Sequence, residues 1–599
     1  MKIIYPKDNN GNLIGFKTNE KNVYRTSDGV NLSSILKNIN DRIDQLNGPF
    51  NIADRIYYNE NNSTLEMYAG DTLLSSTEVI AGGSDTPLFP PPNVSDITVE
   101  GKNGKILITW TDPSDIVVDG ITLTNWAGTR VVVKAGSIPT DISDGVSITD
   151  STTRNMYQTT PLEIGSLVND VTYYVRFFPY SDGNVYNMTL EGNTGSAVTK
   201  SSTVYGFHIN PNDSNPSTAI TYLESAVNKT PVSMNFSTGA FNWGDWSEDE
   251  FFMPRPCMVK YDMTVDYYLN PNDYTKKVDG TASDITNSSY QGNAMMEWGR
   301  DGNKIWYKVV PDSGNANGAS IYISDTQVDN DYKCWNFYDA SNTVRDHFYT
   351  AIYNGSYISS RMRSLSGQTT GASQSGTTEI SYARSNNSAG NLSGDRWYTE
   401  TFGDRTLINY LLVLLGKSLD TQTVYGYGYA NGNSSAINTG TMNTRGLFWG
   451  ENTGKYGVKV FGMENYWGNV WRRIAGLMNN SSNTYVKLTP NTADGSSSST
   501  YTTSVTGMLN TGLSIANTPG YISTYKYFSN GYSVINGFSG NTYTYYCDYG
   551  YSYSTSSYQC YAFVGGDWND GLYAGAFACY LYNSVSSSDS GFGAALSGR

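Results

Sequence analysis

The sequence predicts a mainly β protein with some α-helix, built as several domains along one chain. Three observations predict it. The chain has 599 residues, more than one core organises, since domains usually run about 50–250 residues. Short apolar stretches with strand-like alternation recur between clusters of Gly, Asn and Ser, the pattern of half-buried strands joined by tight turns. Charged residues make up only 16%, and 49 Tyr and 60 Gly, with Ser and Asn, fill the difference. Abundant aromatics without a long charge block argue against disorder.

That composition also resembles antibody paratopes. There Tyr supplies rigid amphipathic contact area, and Ser, Gly and Asn supply adaptable hydrogen bonds. Net charge is −15 and the pI near 4.7, with no Lys/Arg cluster. Phosphate neutralisation needs such a cluster, so no nucleic acid and no anionic membrane surface is expected as a partner. A neutral glycan or a protein fits the charge better. The opening MKIIYPKDNNG lacks the apolar core of a secretory signal. The longest apolar run, Leu407–Leu415, is interrupted by Asn409 and Tyr410 and reaches about half of the ~20 residues that span a bilayer. Synthesis in a cytoplasm, with no membrane insertion, is the expectation. The cysteines Cys257, Cys334, Cys547, Cys560 and Cys579 form no Cys-x-x-Cys pair, and only His208 and His347 are histidines. They are read as buried reduced thiols, and no zinc site is expected.

Residues 1–50 read as an attachment segment. Leu32, Leu36, Ile39, Ile43 and Leu46 follow a heptad spacing that Gly48-Pro49 ends, with Ser27 or Asp28 as the start. A short trimerising coiled coil is preferred over a single amphipathic helix packed on its own domain. Residues 51–92 read as hairpins, Ile56–Tyr58 with Thr64–Tyr68 across the Asn59–Asn62 cluster, followed by a Pro-rich linker ending at Pro90-Pro91-Pro92.

Residues 93–200 read as an Ig-like β-sandwich. Ile106, Ile108 and Trp110 alternate with outward positions, Val131–Val133 form a strand, and Tyr173, Val175 and Phe177 alternate with Tyr174, Arg176 and Phe178. Trp110 and the run Leu167…Tyr173–Phe177 resemble the strand-B and strand-F patterns of fibronectin type III domains. That resemblance covers this domain alone and implies a spacer or weak binding module.

Residues 201–599 read as one large domain or two tightly joined ones. A helix is expected around Asp404–Leu415, with Leu407, Leu411, Leu414 and Leu415 on one face, and a second over Tyr466–Met478. The segment Gly462-Met463-Glu464-Asn465-Tyr466-Trp467-Gly468-Asn469-Val470-Trp471 resembles the Gly-Asn-Val-Trp-Glu-Trp segment of the formylglycine-generating-enzyme branch of C-type lectin-like folds. Trp467 and Trp471 would share one helical face. Arg472 replaces the usual Glu and no functional cysteines are recognisable, so the resemblance implies an α+β C-type lectin-like fold without that chemistry.

The final segment carries Gly565-Gly566-Asp567-Trp568, Ala574-Gly575-Ala576-Phe577 and Gly593-Ala594-Ala595-Leu596. These resemble the fixed frame of the variable region, about 563–599 here, of diversity-generating retroelement target proteins, whose best-known examples are phage tropism determinants. Between the frame lie Asp567, Asn569, Asp570, Tyr573, Tyr580, Tyr582, Asn583, Ser587, Asp589 and Gly591. In that family an adenine-directed process rewrites AAY codons, and all five residue types are reachable from AAY. Ala595 replaces a common Arg. The resemblance implies a phage tail receptor-binding protein, carried on the virion and acting as a homotrimer. It would recognise a host cell-surface protein or glycan through the variable face and join other tail or baseplate proteins through its N-terminus. Gly565, Gly566, Trp568, Gly575, Phe577, Leu581, Gly593 and Leu596 would be the scaffold, with Trp568, Phe577, Leu581 and Leu596 buried. Tyr573, Tyr580 and Tyr582 would be the anchors.

No cofactor is expected. Lectin-like folds sometimes bind calcium, but Asp567, Asp570 and Asp589 are changeable positions, poor as obligatory ligands. No catalytic residue is expected either. Neither histidine joins a nucleophile motif, and Gly416-Lys417-Ser418 lacks the upstream glycine of a phosphate loop. The alternatives are a glycan-cleaving tail spike, whose carboxylate pair a sequence does not single out, and a structural fibre segment without a ligand.

Overall fold

The computed structural model describes residues 90–118, 121–300, 303–480, 483–490, 518–553 and 557–599, with the backbone of strands at 55–59, 64–69, 72–78 and 508–510. The expected coiled-coil stretch Leu32–Leu46 lies outside the described residues. Strand exceeds helix, 38% against 9%, so the fold is mainly β. The chain divides into two compact units, Met1–Ser201 and Ser202–Arg599.

In the first unit, Arg55–Asn59 pairs antiparallel with Thr64–Ala69, which pairs with Thr72–Glu78. Beyond them, a three-stranded sheet (Leu162–Ile164, Lys105–Thr111, Ser95–Lys102) and a four-stranded sheet (Thr194–Val198, Thr172–Ser181, Trp126–Ala135, Ser147–Ser151) share one core. Alternation drives this: Ile106, Ile108 and Trp110 from one sheet meet Val131, Val133, Tyr173, Val175 and Phe177 from the other. The Trp110 ring lies 5.2 Å from that of Phe177. Arg176 and Phe178, on the opposite side of the alternation from Val175 and Phe177, are also buried. Arg176 donates to the carbonyls of Pro139 and Thr140, and its guanidinium sits 4.6 Å over the Phe178 ring. A covering loop, which alternation does not register, hides them.

The second unit holds two large sheets around one long helix. The first sheet uses β1 (Arg255–Lys260), β2 (Val265–Asn270), β3 (Asp273–Lys277), β4 (Gly292–Trp298) and β5 (Phe348–Ala351). Two helices flank its sixth strand: α1 (Gly376–Ala389), β6 (Trp397–Thr399) and α2 (Phe402–Gly416), followed by the short α3 (Thr421–Tyr425). The second sheet uses β7 (Trp471–Asn479), β8 (Thr484–Lys487), β9 (Met508–Asn510), β10 (Thr518–Tyr521), β11 (Tyr549–Ser552), β12 (Cys560–Val564) and β13 (Cys579–Leu581), with β14 (Phe592–Gly593) paired to β7. The C-terminal β15 (Leu596–Gly598) inserts into the first sheet between β5 and β6, with Ser597 opposite both Thr350 and Tyr398.

Helix α2 is longer than expected and starts earlier. Thr401, not Asp404, is its N-cap, its hydroxyl accepting from the Asp404 N–H at 3.2 Å. Every residue from Phe402 to Gly416 is buried, so this is an all-round core helix rather than a one-faced surface helix. The helix expected over Tyr466–Met478 is instead strand β7, and Trp467 and Trp471 share no helical face. The backbone explains the difference. Asn465, Gly468 and Asn469 take φ values of 53°, 74° and 68°, a left-handed sequence of turns through which an α-helix does not run.

Candidate functional site: a tyrosine-faced sheet

Strands β7, β12, β13, β11 and β10 lie side by side in that order. Strand β13 pairs antiparallel with β12, Phe563 opposite Tyr580, and parallel with β11, Tyr551 opposite Tyr580. Because side chains alternate along a strand, one face receives Phe563, Tyr580, Tyr549 and Tyr551. The other receives Val564, Cys579 and Leu581, which join Ile474, Leu477 and Ala562 in a buried cluster.

The outer face is aromatic and continuous. Tyr521 touches Tyr549 and Tyr573 at centroid distances of 5.2 and 5.6 Å, and Tyr549 lies 4.3 Å from Tyr573. Tyr551 lies 6.4 Å from Tyr580 and 5.0 Å from Tyr582, and Tyr553 lies 5.0 Å from Tyr582 and 6.3 Å from Tyr558. Tyr549, 6.4 Å from Tyr580, joins the two groups. Tyr573, Tyr582 and Tyr558 are its most exposed members, at 41%, 40% and 38% accessible. Burial raises the hydroxyl pKa of Tyr521 to about 12 and raises those of Tyr549, Tyr551 and Tyr580, so these phenols stay neutral donors at physiological pH.

A hydrogen-bonded frame holds this face. The Ala576 carbonyl accepts from Asn409 and Arg405 of α2 at 3.0 and 3.1 Å, and the Ala576 N–H donates to Thr421 Oγ1 of α3 at 3.1 Å. Phe577 N–H donates to Asp548 at 2.7 Å, and its carbonyl accepts from Tyr525 at 3.1 Å. Two glycines permit this packing. A Cβ on Gly575 would sit 2.0 Å from Asp548 Oδ1, and Gly566, at φ +84°, has the Ala574 Cβ only 2.7 Å from where its own would be. The 583–591 loop is fixed through its carbonyls: Ser587 accepts from buried Arg473 at 2.8 Å, Val585 from Gly376 N–H at 2.7 Å and Asp589 from Ser373 N–H at 2.9 Å.

The expected displayed residues fall into three groups. Asn569, Tyr573, Tyr582 and Asp589 are exposed; Asp567, Asp570, Tyr580, Asn583 and Ser587 are half-buried. Gly591 is buried, and the Asp567 carboxylate fills the space a side chain there would need, 2.3 Å from its Cβ position. Gly591 is therefore a packing residue of the loop rather than a displayed one. Tyr580 leans on Trp471, centroids 4.2 Å apart, so it serves both the face and its support. Of the expected scaffold, Gly565, Gly566, Gly575, Phe577, Leu581, Gly593 and Leu596 are buried, whereas Trp568, expected to be buried, is half-buried. Its carbonyl anchors the loop to Asn433 N–H at 3.1 Å, and its indole Nε1 is itself buried.

Asp567, Asp570 and Asp589 gather beside the tyrosines. Asp567 N–H donates to Asp570 Oδ2 at 2.6 Å, and Asp570 hydrogen-bonds the Trp471 side chain. Burial, and then the charge of Asp567, push the Asp570 carboxyl up to about 7. Burial also raises Asp567, with Asp589 adding repulsion. Among the described residues, no group of three or more His, Cys, Asp or Glu side chains is arranged to hold a metal ion. All five cysteines are buried and free.

Tyr521, Tyr549, Tyr551, Tyr553 and Tyr558 are members of this face that the C-terminal Gly/Trp/Phe frame does not point to. Their signal was present as a tyrosine every two or three residues between Tyr521 and Tyr561. The parallel β11–β13 pairing that brings them to the C-terminal segment is non-local and leaves no local mark.

No family model matches the chain, and no curated protein matches it. Solved structures to which it is similar include the Major Tropism Determinant P3c Variant, at 10% identity over 91% of this chain and 94% of that chain with a TM-score of 0.22. The Major Tropism Determinant U1 Variant is similar at 10% identity over the same shares, with a TM-score of 0.18. Among the described residues, no helix is long and apolar enough to cross a membrane.

Proposed function

We propose that this chain is a phage tail receptor-binding protein, an adhesin of the virion whose tyrosine-faced sheet takes a ligand on the host surface. The observation that carries the reading is the continuous row of tyrosine rings over a frame whose backbone is tied to the buried helix α2 and to buried Thr421 of α3. A face of this kind changes its contacts without changing its fold, because the exposed rings and the frame are different residues. Tyrosine is also the side chain that binding surfaces favour, bringing large area at little entropic cost.

The second unit is read as a C-type lectin-like domain whose 563–599 segment is the diversified region. The sandwich of the first unit is read as fibronectin type III-like. The Val168 N–H donates to Tyr173 Oη at 3.0 Å, which fits the tyrosine corner of that class. The N-terminal segment would assemble a homotrimer and attach it to tail or baseplate proteins. Three faces per trimer would raise avidity roughly 10²–10⁴-fold over one.

The test is adsorption of purified full-length protein to host cells. Tyr573→Ala/Tyr582→Ala should abolish adsorption while the melting temperature holds. Adsorption equal to wild type would overturn the proposal. So would a gene neighbourhood without a reverse transcriptase and a near-copy of the final segment, as regards diversification.

A further inference from the structure

The face is anionic as well as aromatic. Between residues 549 and 598 there is no Lys, Arg or His, and the charged side chains are Asp567, Asp570 and Asp589 alone. The arginine that follows, Arg599, is fully buried against Asp404 at 2.7 Å. Beneath the sheet, Arg473 is spent on buried Glu379, and Arg405 donates to the carbonyls of Tyr466 and Ala576. The carboxylates are joined to the rings: Asp570 bonds Trp471, which packs on Tyr580.

We propose that the ligand taken by this face is a cationic polypeptide segment, whose Lys or Arg side chains seat against the tyrosine rings and the carboxylates of Asp567, Asp570 and Asp589. This rests on the face being the ligand site. Three physical arguments favour that occupant. Crowded carboxylates that lack a counter-charge are stabilised by an incoming cation, and burial and mutual repulsion already hold the Asp570 carboxyl at about 7. Aromatic ring faces carry negative potential and attract ammonium and guanidinium groups. The aromatic row runs from Tyr521 through Tyr549 and Tyr551 to Tyr558, longer than one ammonium group needs, and suits an extended segment whose alternate side chains point to one surface. A neutral glycan draws on the rings and can donate hydroxyl hydrogen bonds to the carboxylates, but it brings no positive charge to relieve their mutual repulsion.

The probe is a synthetic peptide of about twelve residues alternating Lys and Ser, with a Ser/Gly/Asn peptide of equal length and a neutral oligosaccharide as comparisons. Binding to the full chain is read by calorimetry. The Lys peptide should bind, the two neutral probes at least about tenfold more weakly. Asp567→Asn/Asp570→Asn should weaken Lys-peptide binding about tenfold or more, as loss of partly desolvated charge contacts does. Asp346→Asn, which removes an equal charge at an exposed side chain, should shift it less than about twofold. Equal weakening by Asp346→Asn would mean general charge attraction and would overturn the proposal. Host-cell adsorption separates the two readings. Adsorption lost in Tyr573→Ala/Tyr582→Ala but unchanged in Asp567→Asn/Asp570→Asn sinks the cationic ligand and keeps the face. Adsorption unchanged in both sinks the face itself.

Discussion

The guanidinium of Arg599 lies 2.7 Å from the carboxylate of Asp404, and both side chains are fully buried. Asp404 stands in the first turn of α2, so this pair ties Arg599 to the helix that also supports the tyrosine face. Ser597 adds a hydroxyl bond to the same carboxylate at 2.7 Å. Removing one partner of such a pair leaves a buried charge uncompensated. Arg599→Ala should therefore destabilise the second unit by about 3–5 kcal/mol, read by denaturant unfolding. A loss within about 0.5 kcal/mol would mean that the pair is relaxed or hydrated in solution.

Leu581 and Tyr582 are sequence neighbours with opposite surroundings. Leu581 is 5% exposed in the inner cluster of β7, β12 and β13, whereas Tyr582 stands out beside Tyr551. Leu581→Ala should cost about 2–5 kcal/mol. Tyr582→Ala should change stability within about 0.5 kcal/mol yet weaken ligand binding. Thermal unfolding of the two variants side by side checks the alternation, and equal losses would place Tyr582 in the core.

The sequence made the mainly β class legible because alternation such as Ile106-x-Ile108-x-Trp110 and Tyr173-x-Val175-x-Phe177 is a local signal. Helix α2 was legible for the same reason, through its run of leucines. Two other features were not. The run from Tyr466 is rich in aromatics at helical spacing, and only the left-handed backbone at Asn465, Gly468 and Asn469 turns it into an approach to a strand. The five additional tyrosines of the face depend on the parallel register of Tyr551 with Tyr580, a contact between strands nearly thirty positions apart.

Gly566 tests the rigidity of the frame. Its φ of +84° is a conformation L side chains rarely adopt, and a Cβ there would meet that of Ala574 at 2.7 Å. Gly566→Ala should destabilise by about 1–3 kcal/mol and lower ligand affinity, because the displaced 566–575 turn carries Asp567, Asp570 and Tyr573. Gly571, which has nothing within 4 Å of its Cβ position although its φ is +58°, provides a comparison with strain but no clash. A Gly566→Ala variant no worse than Gly571→Ala would show that the Ala574 contact yields.

Asp570 should leave a mark on the pH dependence of stability. Burial, with the charge of Asp567 beside it, lifts its carboxyl from 3.8 to about 7. The folded protein therefore keeps a proton that the unfolded chain releases between about pH 4 and 7, and its contribution to stability falls as pH rises through that window. Asp567 is shifted in the same direction by burial, with Asp589 adding to it. The groups facing Asp570 are Asp567, the Trp471 indole and, through charge, the Tyr580 hydroxyl; none of them is a cation that would reverse the sign. Asp570→Asn removes the titration while keeping an acceptor for the Asp567 N–H. Its melting temperature should fall less than that of wild type between pH 4 and pH 8, and should exceed it at pH 8. Parallel curves for the two proteins would show that Asp570 is already ionised in the folded state at pH 5, with a counter-charge supplied from solvent.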